Sequence, residues 1–357
     1  MRALVAMSGG VDSSVAAALM LEAGHDVIGV TVKQWQGPDG QLPMTGCCTV
    51  SDAEDARSVA NRLEVPYYVL DHVAEFTREV VDRFGAEYLA GRTPNPCIEC
   101  NRRVRFGILF DRMESLGCDV LVTGHHARVV GDSGERRLLR AADRAKDQSY
   151  VLHMLDQSRL GRILFPIGEM TKDEVRQRAA GLGLRTASKP DSQDLCFVSG
   201  DYREVIRERF GDADRAGVIV DVDGTVLGEH SGTTRFTIGQ RRGLGVAVGE
   251  PQFVVSIEPD TGAVVVGPRS ALLVDGCSLE DVSWIAGEAP RDPSIQIQIR
   301  YRSDAVEARL METPNGWHVW FEAPQEAIAP GQAGVIYRDD QVLGGGTIAA
   351  ALQSAPA

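Results

Sequence analysis

The segment from Ser8 to Ser14 reads Ser-Gly-Gly-Val-Asp-Ser-Ser and has the residue types of an anion-binding turn. Two glycines allow a tight turn whose backbone N–H groups point at one ligand, and a helix N-terminus adds a favourable dipole. The segment has neither the lysine of a GxxxxGK[ST] loop nor the spacing of GxGxxG. It therefore predicts a site that binds phosphate through backbone amides, serine hydroxyls and the helix dipole, without a lysine.

A second segment, from Thr93 to Asn101, places Cys97 and Cys100 ahead of a run with three arginines. A cysteine at a helix N-terminus beside cationic side chains has a lowered pKa. We therefore expect Cys100 to form a thiolate readily, with Asn101 capping the helix. The CxxC spacing is also that of a structural metal half-site, and this interpretation stays open.

Of the other five cysteines, one is a further candidate for a reactive cysteine, and four have no neighbouring residues that indicate chemistry. Cys196 lies in the polar segment Lys189–Val198, whereas we expect Cys47, Cys48, Cys118 and Cys277 to be small buried apolar residues. Seven cysteines in a chain without a signal-peptide pattern favour a reducing compartment. With no run of about 20 apolar residues, a cytoplasmic protein without a membrane partner is predicted.

In the first 125 residues the sequence pattern alternates between strands and helices, and these elements would position the two segments. Strands are predicted at 2–7, 25–32, 66–70 and 119–123, and helices at 15–23, 51–63, 74–90 and 101–116. Such alternation predicts an α/β domain, Rossmann-like, with a doubly wound parallel sheet. Ligands of such sheets bind beyond the carboxyl ends of the strands, where the Ser8–Ser14 turn falls.

After about residue 200 the pattern changes to short apolar runs separated by turn residues. One helix is predicted at 202–210, and hairpins at 253–267, 305–322 and 333–344. Regular hairpins predict two small mainly-β domains, the last a β-barrel. We place the domains at 1–200, 201–275 and 276–357.

The net charge is −13, from 37 basic and 50 acidic residues. This balance excludes a generic DNA coater or a polybasic membrane binder, but a local basic track can lie on an acidic body. Basic residues do collect at 92–105, 128–146 and 235–242, so nucleic-acid affinity that falls with salt is expected. Lysine occurs at only four positions, 33, 146, 172 and 189. A GC-rich genome explains that bias, although it makes each retained lysine more noticeable.

Matching motifs extend nearly from end to end of the chain. They are SGGVDSS at 8–14, TPNPCIECN at 93–101, TGHHAR at 123–128, KDQSYVL at 146–152, FPIGEMTKDEVR at 165–176, DSQDLCFV at 191–198, TIGQRRGLG at 237–245, PGQAGVIY at 330–337 and LGGGTI at 343–348. In this order they resemble the tRNA-specific 2-thiouridylase family, within the PP-loop ATP pyrophosphatase superfamily.

The resemblance implies a tRNA-uridine 2-sulfurtransferase that uses ATP and Mg²⁺. ATP would adenylate the C2 oxygen of the wobble uridine in tRNAs for Lys, Glu and Gln, with release of pyrophosphate. Sulfur would then replace the oxygen, and AMP would leave. By the same resemblance Cys196 carries the sulfur as a persulfide, Cys100 is the nucleophile, and the two can form a disulfide.

The resemblance also assigns binding residues. The implied ATP site is Ala6, Met7, Ser8, Gly9, Gly10, Val11, Asp12, Ser13, Val32 and Gly124, with Asp12 organising magnesium. The implied tRNA contacts are Asn95, Pro96, Cys97, His125, Lys146, Asp147, Gln148, Arg300, Tyr301 and Gln332. We assign the adjacent His126 a structural role only.

Cys97 departs from the family pattern, since many members have aspartate there. A second hypothesis follows, in which Cys97, Cys100 and Cys196 hold a [4Fe–4S] cluster whose open iron activates hydrosulfide. The persulfide route is favoured over this cluster route.

Two other functions stay open. Another PP-loop adenylating synthetase would not explain the paired cysteines, and a non-catalytic tRNA-binding protein would not explain SGGVDSS. A sulfur donor, such as a cysteine desulfurase or a sulfur-relay protein, is an expected partner of the thiolation reaction.

Overall fold

The structure is a computed structural model that describes residues 1–36, 50–132, 134–191, 195–198 and 200–353. Its strands are β1 (Arg2–Ala6), β2 (Asp26–Lys33), β3 (Tyr67–Asp71), β4 (Val120–Thr123), β5 (Ala127–Val130), β6 (Arg137–Arg140), β7 (Ile163–Leu164), β8 (Gly217–Asp221), β9 (Val226–His230), β10 (Phe253–Glu258), β11 (Ala263–Gly267), β12 (Leu273–Trp284), β13 (Ser294–Gln298), β14 (Val306–Thr313), β15 (Gly316–Glu326), β16 (Ala333–Arg338) and β17 (Gln341–Leu352).

Most of the α-helices lie in the first half of the chain, between its strands. The helices are α1 (Val11–Glu22), α2 (Val50–Arg62), α3 (73–89), α4 (96–115), α5 (Gln157–Leu160), α6 (Lys172–Gly181) and α7 (Tyr202–Phe210). A π-helical segment interrupts α3 at Thr77–Val81 and α4 at Cys100–Arg105. Short 3₁₀ turns lie at Arg144–Lys146, Ser149–Leu152, Arg185–Ser188, Gly211–Ala213, Thr233–Arg235 and Arg269–Leu272.

Five parallel strands of the described chain form the first sheet, in the order β3-β2-β1-β4-β7. Leu4 at its centre is paired with Ile28 on one side and Leu121 on the other, and all three side chains are buried. Their continuous apolar runs are typical of a sheet that helices cover on both faces. The predicted doubly wound parallel sheet is confirmed.

Helix α1 begins at Val11 rather than at residue 15, where the apolar run predicted its start. Gly10 is the N-cap residue, with extended φ and ψ of −90° and 165°. The polar residues Asp12, Ser13 and Ser14 therefore occupy the first turn of the helix instead of the loop. Their side chains lie at the positive end of the helix dipole.

Helix α4 begins at Pro96, and the oxygen of the Asn95 side chain accepts a hydrogen bond from the Cys97 backbone N–H at 3.1 Å. The prediction that Asn101 caps this helix is wrong. Asn101 is buried within α4 and donates from its side chain to the Val151 carbonyl at 2.9 Å. Proline fits the first helical position because it needs no hydrogen-bond donor there, so the helix starts five positions earlier.

The second half contains antiparallel hairpins, as predicted, and one parallel pair, β8 with β11, joins two of them into a four-stranded sheet. Strands β10 and β11 pair with each other, as do β14 with β15 and β16 with β17. Six described strands, β12-β15-β14-β13-β16-β17, close into a barrel through pairing of β12 with β17. The predicted C-terminal β-barrel is confirmed, and the domain boundaries near 200 and 276 stay predictions.

The hairpin of β5 and β6 was not predicted, because residues 128–146 gave only a basic pattern. It extends the barrel sheet, with Leu138 of β6 paired to Val342 of β17. The Arg140 guanidinium lies 3.7 Å from the centre of the Tyr337 ring. A piece of the first half of the chain thus belongs structurally to the barrel.

Cys47 and Cys48 lie outside the described residues, as do residues 192–194 beside Cys196. Cys118 and Cys277 are buried in apolar surroundings, as predicted. Among the helices of the described chain, none combines the length and the apolar character needed to span a bilayer.

Candidate active site

The turn between β1 and α1 requires its glycines. Gly9 has a φ of +73°, and a Cβ there would lie 2.2 Å from the carbonyl oxygen of Asp52 at the start of α2. A Cβ on Gly124, after β4, would lie 2.5 Å from the Ser13 nitrogen. Three segments therefore meet as bare backbone at the carboxyl edge of the sheet, where an anion can approach the N–H groups of α1 closely.

Serine hydroxyls hold this turn in shape. The Ser13 hydroxyl accepts from the Ser8 backbone N–H at 3.1 Å and donates to the Gly10 carbonyl at 3.2 Å, and the Ser14 hydroxyl donates to the same carbonyl at 2.7 Å. Ser8 is exposed, whereas Ser13 is buried. Ser8 is thus the hydroxyl that can reach a ligand directly.

The other residues implied for the nucleotide differ in what they can offer. The side chains of Met7 and Val11 are buried in the core, so only their backbone atoms can face a ligand. Ala6 ends β1 and Val32 is the next-to-last residue of β2, and both are half-buried. Both lie at the carboxyl edge of the sheet, where an adenine ring could pack on Val32.

Asp12 is bound by Lys172 and His126, which come from distant segments of the chain. Its two carboxylate oxygens each lie 2.8 Å from the Lys172 Nζ, and Oδ1 lies 3.3 Å from the His126 Nε2. Burial acts to raise the pKa of Asp12, but hydrogen bonds from His126 and Lys172 outweigh it and leave the pKa below its ordinary value. Asp12 is therefore an ionised carboxylate at the start of α1.

Lys172 bridges Asp12 to a second carboxylate, Asp191. Its Nζ lies 2.8 Å from the Asp191 Oδ1, and its side chain is only 10 % exposed at the start of α6. The Asp191 carboxylate also accepts hydrogen bonds from the Lys146 Nζ at 2.8 Å and from the Arg176 guanidinium at 3.1 Å. Burial opposes the shift, but hydrogen bonds from Lys146 and Lys172 lower the pKa of Asp191 to about 2.

Lys189 approaches the loop from its other side. Its Nζ donates to the Gly9 carbonyl at 3.1 Å and to the carboxylates of Asp52 and Asp55 at 2.6 Å each. Burial acts to lower the pKa of Lys189, but these two carboxylates raise it above its ordinary value. Lys172 and Lys189 thus fold back onto the turn with their ammonium groups bound to carboxylates, and a phosphate site without lysine stays a prediction.

Cys100 lies in the first turns of α4, buried, and the Gln34 side-chain amide donates to its sulfur at 3.1 Å. Gln34 follows the end of β2, next to β1 in the sheet. The hydrogen bond therefore brings Cys100 to the same carboxyl edge that carries the Ser8–Ser14 turn. Its expected low pKa stays a prediction.

Cys196 lies against the same apolar cluster as Cys100. Its neighbour Phe197 is buried there, with ring-centroid distances of 5.2 Å to Phe84, 6.0 Å to Phe76 and 6.1 Å to Trp35. Cys196 is half-buried at the edge of this cluster, and Cys97 is exposed. In the part of the chain that the structure describes, no group of three His, Cys, Asp or Glu side chains is arranged to hold a metal ion.

Comparison with known proteins covers almost the whole chain. Residues 1–200 match the model of the tRNA methyl transferase HUP domain, residues 203–268 that of the tRNA methyl transferase PRC-barrel domain, and residues 274–348 that of the aminomethyltransferase beta-barrel domain. A tRNA-specific 2-thiouridylase of Roseiflexus sp. is 49 % identical, with 97 % of this chain and 98 % of the relative aligned. The chain belongs to the tRNA-specific 2-thiouridylase family. A second member, from Carboxydothermus hydrogenoformans, is 48 % identical over 97 % of each chain.

Within this 2-thiouridylase fold, the barrel reaches the cysteine loop. The Gln332 side-chain amide donates to the Thr93 carbonyl at 2.7 Å, and the Thr93 N–H donates to the Pro330 carbonyl at 2.7 Å. Asn95 and Pro96 line a cleft between α3, α4 and the barrel, with about 620 Å³ of empty space including open solvent. Of the implied tRNA contacts, Asn95, Pro96, Cys97 and Gln332 are therefore brought to one region.

A second group of implied tRNA contacts is linked to the Ser8–Ser14 turn through Asp191 and His126. Lys146 pairs with Asp191, and the Gln148 side-chain oxygen accepts from the His126 backbone N–H at 2.9 Å. Asp147 faces inward and binds Arg140 at 3.1 Å and the Ser149 hydroxyl at 2.8 Å. These bonds show how the segment is fixed and leave its RNA contacts as predictions.

His125 is buried beside the rings of Phe106 and Phe165, at centroid distances of 6.1 and 5.9 Å. Burial, assisted by Arg105, lowers the pKa of His125 to about 3, so its ring is neutral. Arg300 donates to the Ala327 carbonyl at 2.6 Å, and the neighbouring Tyr301 side chain is 42 % exposed. Tyr301 thus lies at the surface, between Tyr150 and Arg302, whereas His125 faces the core.

Four residues of this site escaped the sequence analysis as site residues: His126, Lys172, Lys189 and Asp191. His126 was assigned a structural role, yet it contacts Asp12, and its Nδ1 is buried without a hydrogen-bond partner in the described structure. One signal could have found the two lysines, because lysine is rare among 37 basic residues. Two of the four lysines in this family member, Lys172 and Lys189, contact the turn, and Lys146 is joined to Lys172 through Asp191.

Proposed function

We propose that the protein catalyses ATP-dependent 2-thiolation of the wobble uridine in tRNAs for Lys, Glu and Gln. One observation carries the proposal. The hydrogen bond from Gln34 to Cys100 brings a cysteine of the helix α4 to the sheet edge that holds the phosphate-binding turn. Adenylation of the C2 oxygen and transfer of sulfur to C2 need the turn and the cysteine within reach of the same base. The names of the full-length relatives support the same reaction.

The first step is adenylation of the uridine. The C2 oxygen attacks the α-phosphorus of ATP, and pyrophosphate leaves with the bonding electron pair. Backbone N–H groups of the turn, the α1 dipole and the Ser8 hydroxyl stabilise the negative charge that develops on the phosphates. Lys172 and Lys189 offset part of the negative charge of the carboxylates beside the turn, which would otherwise repel the phosphates.

The second step moves sulfur from Cys196. The terminal sulfur of a Cys196 persulfide attacks C2, and AMP leaves with the former C2 oxygen. The Cys100 thiolate then attacks the Cys196 sulfur, which forms a Cys100–Cys196 disulfide and leaves the second sulfur on C2 as the thiocarbonyl. A thiol reductant reopens the disulfide, and a sulfur donor such as a cysteine desulfurase or a relay protein restores the persulfide. The shared apolar cluster supports contact between these two segments.

Magnesium fits the Asp12 carboxylate, because oxygen ligands at the end of a phosphate-binding turn suit this ion. The Lys172 ammonium is bound to both carboxylate oxygens and so occupies the position of a cation there. When bound with ATP, magnesium would neutralise phosphate charge. Asp12 would hold it, and Lys172 would have to move aside.

The tRNA contacts are proposed as two regions. Asn95, Pro96 and Cys97, fixed by the Gln332 bond to Thr93, would surround the target base. Lys146, Asp147, Gln148 and His125 would flank the nucleotide loop, and Arg300 and Tyr301 would meet RNA from the barrel. The alternative with a [4Fe–4S] cluster on Cys97, Cys100 and Cys196 leads to the same product and differs only in how sulfur is delivered.

The test is thiolation of unmodified tRNA with ATP and a sulfur donor, read by mass spectrometry of anticodon nucleosides. Cys196→Ser should abolish 2-thiouridine yet keep ATP and tRNA binding, because only the sulfur carrier is lost. Cys118→Ser, the same change at a buried cysteine of another cluster, should keep thiolation. Normal thiolation by Cys196→Ser would contradict both sulfur routes. Iron and sulfide analysis after anaerobic purification separates the routes, since a colourless, iron-free and fully active protein excludes the cluster.

A further inference from the structure

A line of four alternating charges runs from the protein surface to the nucleotide turn. Lys146 lies 2.8 Å from the Asp191 Oδ2, Lys172 lies 2.8 Å from the Asp191 Oδ1, and Lys172 reaches both oxygens of Asp12. The Lys146 side chain is 38 % exposed, whereas that of Lys172 is 10 % exposed. The outer end of the line can meet a large ligand, and the inner end meets the ATP site.

Each oxygen of Asp191 has its own lysine, so the two lysines share one carboxylate. When one lysine leaves Asp191, the attraction between the carboxylate and the other lysine becomes stronger. In a half-buried site water screens this change only weakly. Lys172 is in the same way shared between Asp191 and Asp12. A change at Lys146 is therefore transmitted to Asp12 through two shared groups.

Asp191 is also fixed to the helix α6. Arg176 binds its Oδ1 at 3.1 Å and donates to the carbonyls of Ala187 and Lys189 at 2.9 Å each. These bonds hold the chain that leads to Cys196 against the helix that carries Lys172. Asp191 thus has a fixed place between the nucleotide turn and the sulfur-carrying segment.

The choice of lysine supports this arrangement independently. Only four of 37 basic residues are lysine, and both cations of this line, Lys146 and Lys172, are among them. A lysine ammonium is a compact charge on a flexible stem, whereas an arginine fork favours one fixed bidentate pairing. A cation that must leave one carboxylate for another is better served by lysine.

We propose that Asp191 is a positioning residue that couples RNA binding at Lys146 to ATP binding at Asp12 through Lys172. An RNA phosphate that takes Lys146 leaves Asp191 to hold Lys172 more strongly. Lys172 then releases Asp12, whose carboxylate accepts the magnesium that ATP carries. The inference rests on the proposed function for the identity of its two ligands, tRNA and Mg-ATP.

The experiment measures the affinity for a magnesium complex of an ATP analogue with a non-cleavable α–β bridge, with and without saturating unmodified tRNA. In the wild-type protein tRNA should raise this affinity about fivefold or more, a common size for coupling between sites. Asp191→Asn should bring the ratio to about one, because the amide cannot hold two ammonium groups. By linkage, the effect of the analogue on tRNA affinity should fall by the same factor.

Three variants make the test specific. Lys146→Met should also reduce the ratio to about one, and should add nothing further to Asp191→Asn because the two act on the same pathway. Asp191→Glu should restore part of the coupling. Glu22→Gln removes an exposed ion pair with Arg178 between the same helices, α1 and α6, and should leave the ratio unchanged.

A wild-type ratio of one, or an Asp191→Asn ratio equal to that of the wild type, would overturn the inference. If Asp191→Asn does not fold in a thermal melt, the Lys146→Met ratio decides the matter. Thiolation is assayed in parallel to separate this proposal from the proposed function. Thiolation without coupling contradicts only the coupling, and coupling without thiolation contradicts only the reaction.

Discussion

At the scale of single residues, the Ser8–Ser14 turn depends on backbone approach more than on side chains. Gly9 and Gly124 let three segments meet, and the Ser13 and Ser14 hydroxyls close the turn on the Gly10 carbonyl. A side chain at either glycine would have to displace backbone rather than a flexible group. The turn is therefore the part of the site least tolerant of substitution.

Gly9→Ala should reduce ATP affinity at least about tenfold and lower the free energy of unfolding. The left-handed conformation alone costs an alanine roughly 1–2 kcal/mol, and the new Cβ would also lie 2.2 Å from the Asp52 carbonyl oxygen. Chemical denaturation and equilibrium ATP binding measure the two effects.

Gly24→Ala is the matched control for the conformation without the clash. Gly24 has a φ of +78°, and its Cβ would meet nothing within 4 Å in the described structure. This variant should lose only the conformational cost and keep ATP affinity. Equal losses in both variants would show that contact with Asp52 is unimportant.

Sequence patterns predicted the turn, the two segments that carry the candidate reactive cysteines, and the parallel sheet, because each depends on local residue types. They did not predict Lys172 and Lys189 at the turn, since both lie more than 130 positions from the residues they contact there. Asp191 was missed with them, because it is joined to the turn only through Lys172. His126 was missed for another reason. Two adjacent histidines gave no basis for deciding which one faces Asp12, and the structure turns His125 toward the core.

At the scale of elements, the hairpin of β5 and β6 connects the active site to the barrel. It starts directly after Gly124, His125 and His126, and its second strand pairs with β17. Arg140 at the end of β6 contacts the Tyr337 ring, Asp147 and, at 3.0 Å, Gln298 of β13. One side chain therefore joins the hairpin, the barrel and the segment after Ala141.

Arg140→Met should lower the free energy of unfolding by about 3 kcal/mol, because it leaves the buried Asp147 carboxylate without its cation. Methionine keeps much of the apolar stem, so the loss is mainly electrostatic. Urea denaturation measures the change. Arg137→Met, at an exposed position of the same strand, should stay within about 0.5 kcal/mol of the wild type. A small effect of Arg140→Met would mean that strand pairing alone holds the hairpin.

At the scale of the whole molecule, stability should depend on pH through two buried histidines. Burial lowers the pKa of His125 to about 3 and that of His153 to about 4. A histidine whose folded pKa is depressed binds its proton only on unfolding once the pH falls below the unfolded value near 6.5. The folded state thus loses stability as the pH falls from about 6.5 toward 4.

Between pH 6 and 5 the two histidines together should give an average slope of about 2.4 kcal/mol per pH unit in the free energy of unfolding. His153→Gln should remove about half of this slope, whatever its effect on stability at pH 7. Urea denaturation at a series of pH values gives the slopes. Identical slopes in both proteins would mean that His153 is not neutral in the folded state.

The pairing of β6 with β17 also bears on how the protein is made. The ion pair between Arg128 and Asp340 joins residues 212 positions apart, so the hairpin is synthesised long before its partner strand. At about 5–20 residues per second, the ribosome needs roughly 10–40 s to deliver that strand. During this interval the edge of β6 that later pairs with β17 has unpaired backbone N–H and C=O groups, so the hairpin is open to pairing with other chains until β17 is synthesised.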